Sequence, residues 1–594
     1  MYKLSLFDDA FLRLESRRQP LHIGMLMLFE PSADAPADFA EQLAERLRQS
    51  TLAVPPFNQR LVRRRGLHYW EEDDDFDLAH HFVHMSLPKP GRIRELLAVV
   101  SRVHSVHLDR AYPLWRMYLI EGLEDGRIAA YLKIHHSVVD GVGGIRMLMK
   151  SMSKNREESA NMPPPWEVGI GGSRKHPVPV PMPMMEGFKA IRLIAREGMK
   201  SALPVIQRVR DTLRDHRSGD PDIALAGEAP RCVLNSKVSA TRRFAAQQYS
   251  TPRMRAVAKS AGATLNDIVL AMCGGALRRY LLSLNQLPDK PLIAGVPISI
   301  RRDDTMSGNE VAFTIAHLAT HIEDPLERLH AIKRCMDKNK ERLQDFSPAQ
   351  VMAYAASMLM PGALGTLLGL SPNNSLGSVV ISHVPGPRED IYWQGARLTG
   401  LYPASLLFDT LALNITVISR HDYVDFGLIA CRKTVPQAQR LLDYLEDELA
   451  ALESASMQLA GNAPDTNLKT SRSQSSIPIG ETPPPAPRDT LASASTLAEG
   501  KWKVIVKGPT GPQATELVIE RADGKLTGVQ TGQGVSTPTQ DLTIDGSKIR
   551  WINLVTKPMK LKVEFTGVID GNSMTGKCKA GFMGSYPFTG TKIL

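Results

Sequence analysis

Apolar runs of strand length alternate with stretches of helical period over most of the chain. In residues 1 to about 155 the strand-like runs are HIGMLMLF, WRMYLIEG and IAAYLKIHH, with amphipathic stretches at 38–52 and 93–107. The same rhythm returns between about 240 and 455. Its strands are LIAGVPISI, AFTIAHLATHI, GSVVISHV, LALNITVIS and VDFGLIACR, and helical patterns fall at 254–261, 265–284, 326–343 and 436–452. Strands alternating with helices predict a layered α/β architecture, here in two halves of similar size at 1–160 and 239–458.

The segment between the halves, 161–238, opens with Pro-rich MPPPW and PVPVPMPMM and continues as a candidate helix from Phe188. Phe188, Ile191, Ile194, Ala202, Ile206, Val209 and Leu213 form one apolar stripe, with Lys189, Arg192, Arg196, Lys200, Arg208 and Arg214 off it. Pro204 should kink or divide this helix. A linker helix packed across the two halves and an interfacial helix lying on anionic lipid both fit the pattern. A second unusual stretch, 347–387, contains no Lys, Arg, Asp or Glu. Its apolar part, 351–370, has the length of a membrane span, but Pro361-Gly362, Gly365 and Gly369 should break it into a buried or interfacial pair of helices.

From 459 to 498 the composition turns to Pro, Ser, Thr and Ala, as in an extended, mobile linker. Residues 499–594 then read as seven or more short strands separated by Gly and Asp-Gly turns, predicting a small antiparallel barrel or sandwich. This region contains no His, and no role for it follows from its residues.

Composition narrows the picture further. With 43% hydrophobic and 23% charged residues in 594, the chain is globular and wholesale disorder is excluded. The net charge of +10 favours anionic surfaces without pointing to nucleic acid. Five scattered cysteines without a CxxC pair exclude a disulfide scaffold and a zinc ribbon, and fit a reducing compartment. No secretory signal opens the sequence, so a cytoplasmic location is expected.

The sharpest chemical feature is His135-His136-Ser137-Val138-Val139-Asp140-Gly141, directly after a strand. A histidine there can take a proton from a hydroxyl near neutral pH. Asp140 can fix the turn or pair with a cation, and Gly141 permits close backbone approach. Asn266 and Asp267 open a helix, where capping suits them better than substrate contact. Pro113-Leu114-Trp115 reads as structural. His80-His81 and His135-His136 lack carboxylate or thiol partners at ligand spacing, so no metal is expected. Gly143-Gly144 and Gly274-Gly275 are isolated pairs rather than a phosphate loop, and no GxSxG elbow supplies a serine nucleophile.

Eight motifs in order carry a family resemblance over residues 3 to 455: LSLFDDAFLRLESRRQPLHIG, WEEDDDFDLAHH, LDRAYPLWRMYLIEGL, HHSVVDG, TLNDIVLA, GVPISIRR, SHVPGP and LNITVIS. In these the chain resembles the bacterial wax ester synthase/acyl-CoA:diacylglycerol acyltransferases, which are CoA-dependent acyltransferases. The resemblance implies two chloramphenicol-acetyltransferase-like domains joined by the basic helical linker, with the terminal β-domain outside it. It implies that His136 is the general base, that Asp140 turns away to pair with Arg301 of PISIR, and that His135 supports the loop or touches the reaction directly. His383 departs from the pattern, which has Asn before VPGP.

The activity implied is transfer of a long-chain acyl group from acyl-CoA to diacylglycerol or a long-chain alcohol, without cofactor and without a covalent intermediate. The expected setting is peripheral, on the inner face of the plasma membrane or on lipid inclusions. Two alternatives keep the fold: another acceptor or a carrier-protein donor, or a non-catalytic protein of lipid-droplet surfaces.

Overall fold

The computed structural model describes residues 2–4, 6–139, 141–169, 199–299, 311–367 and 377–461. Beyond the linker it describes 499–508, 511–522, 525–532, 535–545, 547–555, 561–580 and 585–593. The chain divides into two compact units, Met1–Asn467 and Leu468–Leu594. Asp140, Arg301, the PVPVPMPMM run, the stripe residues Phe188, Ile191 and Ile194, and the linker at 462–498 lie outside the described residues.

In the first unit, β1 (Tyr2–Lys3), β3 (Gln59–Arg64) and β4 (Leu67–Glu72) form a small sheet. The first large sheet runs β12-β13-β2-β7-β6-β5, made of Tyr392–Trp393, Ala396–Ala404, His22–Glu30, Ile128–His135, Trp115–Glu121 and Phe82–Ser86. The second runs β10-β9-β11-β14-β15-β8, made of Val311–His317, Ile293–Ser299, Val379–Pro385, Leu413–Ser419, Tyr423–Cys431 and Arg242–Ser250. Both mix parallel and antiparallel pairs, and helices cover them, as expected of the α/β class.

The division at 160 and 239 does not separate the sheets. β12 and β13 come from the later half yet join the first sheet, with Arg397 to Ala404 antiparallel to Glu30 to Gly24 of β2. The run ARLTGLYPA contains Gly400 and Pro403 and does not read as a strand in isolation. Its place is decided by tertiary partners. Asp425 of β15 accepts from Leu401 N (2.9 Å), and Gly427 lets Pro403 approach so closely that a Cβ there would lie 1.9 Å from its carbonyl oxygen.

Helix Leu265–Ser283 is buried on nearly every side from Asp267 to Leu281. A Cβ on Gly274 would lie 2.6 Å from Leu318 O, and one on Gly275 would lie 2.0 Å from the carboxyl carbon of Glu448. Close packing explains this glycine pair, with Glu448 in turn bound to buried Arg328.

Two expectations about the helices need correction. Helix Met199–Arg217 is not divided at Pro204, and helix Pro348–Leu367 is not divided at Pro361. A proline removes one backbone bond, which packing on the rest of the helix can offset. The two helices supply that packing to each other: Val205, Val351, Ala353 and Tyr354 share a cluster, and Thr212 Oγ1 lies 3.0 Å from Tyr354 Oη. The inward face is therefore Ala202, Val205, Val209 and Thr212, whereas Ile206, expected on the stripe, is 60% exposed beside Leu203 at 45%. Among the described residues no single helix is long and apolar enough to cross a membrane.

The second unit is a barrel rather than a sandwich. Its eight antiparallel strands are β16 (Gly500–Gly508), β17 (Gly511–Ala522), β18 (Lys525–Gly532), β19 (Val535–Asp545), β20 (Lys548–Val555), β21 (Leu561–Asp570), β22 (Ser573–Ala580) and β23 (Ser585–Ile593). Pairing of β16 with β23 closes it. Eight strands leave an interior that side chains can fill. Here Trp502, Leu517, Trp551, Phe565 and Phe588 fill it, and Trp551 Nε1 donates to Gln530 Oε1 at 2.9 Å.

Candidate active site

Every residue of β7 is buried, because the strand lies inside the first sheet between β2 and β6. At its end the backbone turns and is held at three points. His135 N donates to Leu114 O (2.9 Å), His136 N to Leu21 O (3.0 Å), and Val138 N to His135 O (2.9 Å). Helix Gly141–Lys150 follows. Leu114 belongs to the Pro-Leu-Trp run read as structural; Trp115 anchors that run in the core, with Nε1 donating to Phe57 O at 2.8 Å.

The adjacent histidines occupy different surroundings. His135 is fully buried, with Nδ1 2.6 Å from Ser137 Oγ and accepting from Ser137 N at 3.1 Å. An accepting Nδ1 places the proton of the neutral ring on Nε2. That nitrogen lies 3.6 Å from Glu15 Oε1. Glu15 is itself buried, accepting from Leu21 N (3.1 Å) and from Arg110 Nη2 (2.9 Å), with His107 Nδ1 at 3.4 Å. Burial alone would raise the Glu15 carboxyl, but His135, the Leu21 amide and Arg110 outweigh it and hold it at about 2. Burial pushes the His135 ring down, against the pull of Glu15.

His136 is partly exposed and stacks on Phe11, with ring centroids 4.5 Å apart at 26°. Desolvation, helped by the neighbouring His135, lowers its pKa to about 4. The ring is therefore unprotonated throughout the neutral range and can accept a proton.

The other sequence-derived residues separate from this pair. Gly141 is exposed, and a Cβ there would meet nothing within 4 Å, so close approach of the protein is not what a glycine serves at this position. Thr264, rather than Asn266 or Asp267, is the N-cap of helix Leu265–Ser283. Asp267 closes a capping box, with Thr264 N donating to Oδ2 (2.9 Å) and Asp267 N donating to Thr264 Oγ1 (3.2 Å). Asn266 is half-buried in the first turn. His383 sits on β11 opposite Val417, its pKa lowered to about 4 by burial. His81 belongs to an aromatic stack with Phe76 and Trp115. Among the described residues no group of three His, Cys, Asp or Glu side chains is placed to hold a metal.

Sequence reasoning missed Glu15, Phe11 and Arg110. Glu15 and Phe11 precede the histidines by more than a hundred residues, and no periodicity links them. Only their positions inside two of the quoted motifs marked them at all.

Comparison with known proteins follows the same residues. The family model described as the wax ester synthase/diacylglycerol acyltransferase catalytic domain matches residues 4–269. The one described as the WS/DGAT C-terminal domain matches 307–453. An O-acyltransferase WSD of Acinetobacter baylyi is 45% identical over 454 residues, 76% of this chain and 97% of that protein. The solved structure of a wax ester synthase/diacylglycerol acyltransferase from Marinobacter aquaeolei VT8 is 42% identical, with a TM-score of 0.63, covering 77% of this chain and 100% of that one. The second of these matches ends at residue 453, before the barrel.

Proposed function

The chain belongs to the wax ester synthase/diacylglycerol acyltransferase family, and from that premise we propose that it transfers a long-chain acyl group from acyl-CoA to diacylglycerol or a long-chain alcohol, as an O-acyltransferase. The observation that carries the mechanism is the placement of His136, a half-buried residue stacked on Phe11 at a turn fixed at three backbone points, where burial favours the neutral ring. His136 takes the hydroxyl proton as the alcohol oxygen bonds to the thioester carbon. The tetrahedral intermediate then collapses, the carbon–sulfur bond breaks, and the departing thiolate receives that proton. A thioester is activated enough for one base and one oxyanion donor to suffice, so acyl-CoA is a substrate and no cofactor enters the scheme. His135, tied to Ser137 and facing Glu15, is a positioning residue in this reading. Asp140 and Arg301 keep the roles the resemblance implies, pairing away from the substrate to fix the loop.

Thiol release from palmitoyl-CoA, measured with a panel of alcohols, monoacylglycerols and diacylglycerols, tests this directly. Release that depends on a long-chain alcohol or diacylglycerol is expected. Release with no acceptor in the panel would overturn the reading.

The exposed pair Leu203 and Ile206, beside exposed Arg210, supports peripheral attachment to the inner face of a membrane or to lipid inclusions, within the cytoplasm. Replacing Leu203 and Ile206 by Glu should move the protein out of the floating fraction with anionic liposomes. Unchanged flotation would remove this helix as the attachment.

A further inference from the structure

Helix Gly141–Lys150 and the loop after β11 flank an open cleft of about 550 Å³, within the range of small-molecule sites. Arg146 and Lys150 reach it from one face of the helix, four residues apart; Lys154 and Arg388 join them. Its single carboxylate is Glu389, which accepts from Lys154 Nζ at 2.8 Å. Four cations against one anion leave the lining strongly positive. A favourable interaction with the carbonyl end of the helix could account for Lys150, but not for Lys154 or Arg388, which lie outside the helix.

The loop carrying Arg388 is pinned. Gly386 N donates to Ser419 O at 2.9 Å, and a Cβ on Gly386 would lie 2.5 Å from the Ile418 side chain. Met149 and Ile391 add an apolar wall beside the cations. Exposed cations next to an apolar surface suit a phosphorylated nucleotide: guanidinium groups take phosphate oxygens in pairs, and a base covers the wall.

We propose that this cleft binds the phosphate-bearing nucleotide end of the acyl-CoA donor; the proposal rests on the acyl-transfer reading above. The helix begins just past the turn that holds His136, and at 1.5 Å per residue Arg146 and Lys150 stand about 7 and 13 Å along its axis from Gly141. The phosphopantetheine arm has the length of four to five extended residues, roughly 15 Å, which suits a thioester at His136 and phosphates at the cleft.

The test uses the full chain carrying Arg146→Glu and Arg388→Glu together. Turnover is compared for palmitoyl-CoA and palmitoyl-N-acetylcysteamine, the same thioester without the nucleotide. The preference for palmitoyl-CoA should fall about tenfold or more, the scale of losing one charged hydrogen bond. Adenosine 3′,5′-bisphosphate should bind the wild type and bind the variant at least tenfold more weakly by calorimetry. An unchanged preference in a variant with an intact melting curve overturns the proposal. If the wild type turns over neither donor, the acyl-transfer reading fails on its own and the calorimetry decides the cleft: equal affinity for the bisphosphate overturns it. A variant that loses binding to phosphatidate vesicles but keeps its nucleotide affinity would assign the cleft to a lipid headgroup, and that also overturns the proposal.

Discussion

The two six-stranded sheets of the first unit differ more in what they bury than in how they are built. Around β2 and β7 the first sheet buries a chain of ionisable groups. His22 Nε2 lies 2.7 Å from His104 O, His104 Nδ1 lies 2.6 Å from Tyr131 Oη, and Lys133 Nζ donates to Val103 O at 2.9 Å. His135 and Glu15 continue it to the turn. Burial lowers His104 to about 3 and Lys133 to about 7. The second sheet has one buried carboxylate on its central strands, Asp425, and it is fully engaged: Arg420 Nε donates to it at 2.6 Å, and Leu401 N at 2.9 Å. Arg420 Nη2 also donates to Thr399 O (2.8 Å), so this pair fastens β13 of the first sheet to β15 of the second. The second sheet also buries rings, His383 among them, but only the first leads its buried groups to the turn that carries His136, while Asp425 in the second makes a joint between strands.

If that contrast is right, a substitution in the first sheet should cost activity and one in the second should cost stability. His136→Ala should lower turnover on the order of 10²–10⁴-fold with the melting temperature unchanged. Near wild-type turnover in the folded variant would move the base elsewhere. Asp425→Ala leaves Arg420 and Leu401 N without their buried partner and should destabilise by about 3–5 kcal/mol in urea unfolding. A loss under about 1 kcal/mol would show that the joint does not depend on this carboxylate.

Smaller effects sharpen the first sheet itself. Glu15→Gln keeps the shape and removes the charge facing His135, so turnover should fall on the order of tenfold, as for other partners that orient a histidine. The acid limb of the rate profile should also move to lower pH, because losing a nearby anion favours neutral rings. No change in either would detach Glu15 from the site.

The wild-type pH dependence has a definite sign. The folded-state pKa of His136, about 4, lies below the unfolded value near 6.5. Between these values the unfolded chain binds more protons, so stability rises with pH across the window. This contribution is full above about 6.5 and is lost as pH falls toward 4. Urea melts at pH 4.5 and 7 should show a shallower slope for His136→Gln than for wild type, and equal slopes would contradict the depressed ring. The smallest effect expected is from the barrel: a chain ending at Gly461 should keep its turnover, since the family match ends at 453. An inactive but folded truncation would give the barrel a part in the reaction.

Local features were legible in the residues wherever short-range physics decides them. The apolar runs of β2 and β7, the start of a helix near Asn266 and Asp267 (though not Thr264 as its cap), the alternation and Asp-Gly turns of the terminal strands, and the doubled histidine at a strand end all follow from patterns within about twenty residues. Choice of partner does not. ARLTGLYPA becomes a strand because β2 offers an edge and Asp425 a bond. Ile206 faces outward because the neighbouring helix meets Val205 and Thr212 instead. Pro204 and Pro361 stay within helices because packing offsets a lost backbone bond. Glu15 reaches His135 across 120 positions of sequence because strand pairing brings residue 22 opposite residue 135. The residues alone determined which segments could be strands or helices and marked the doubled histidine as a candidate base. The surroundings that bury and position the His136 ring come from contacts between distant segments, whose energies have no counterpart in the local pattern.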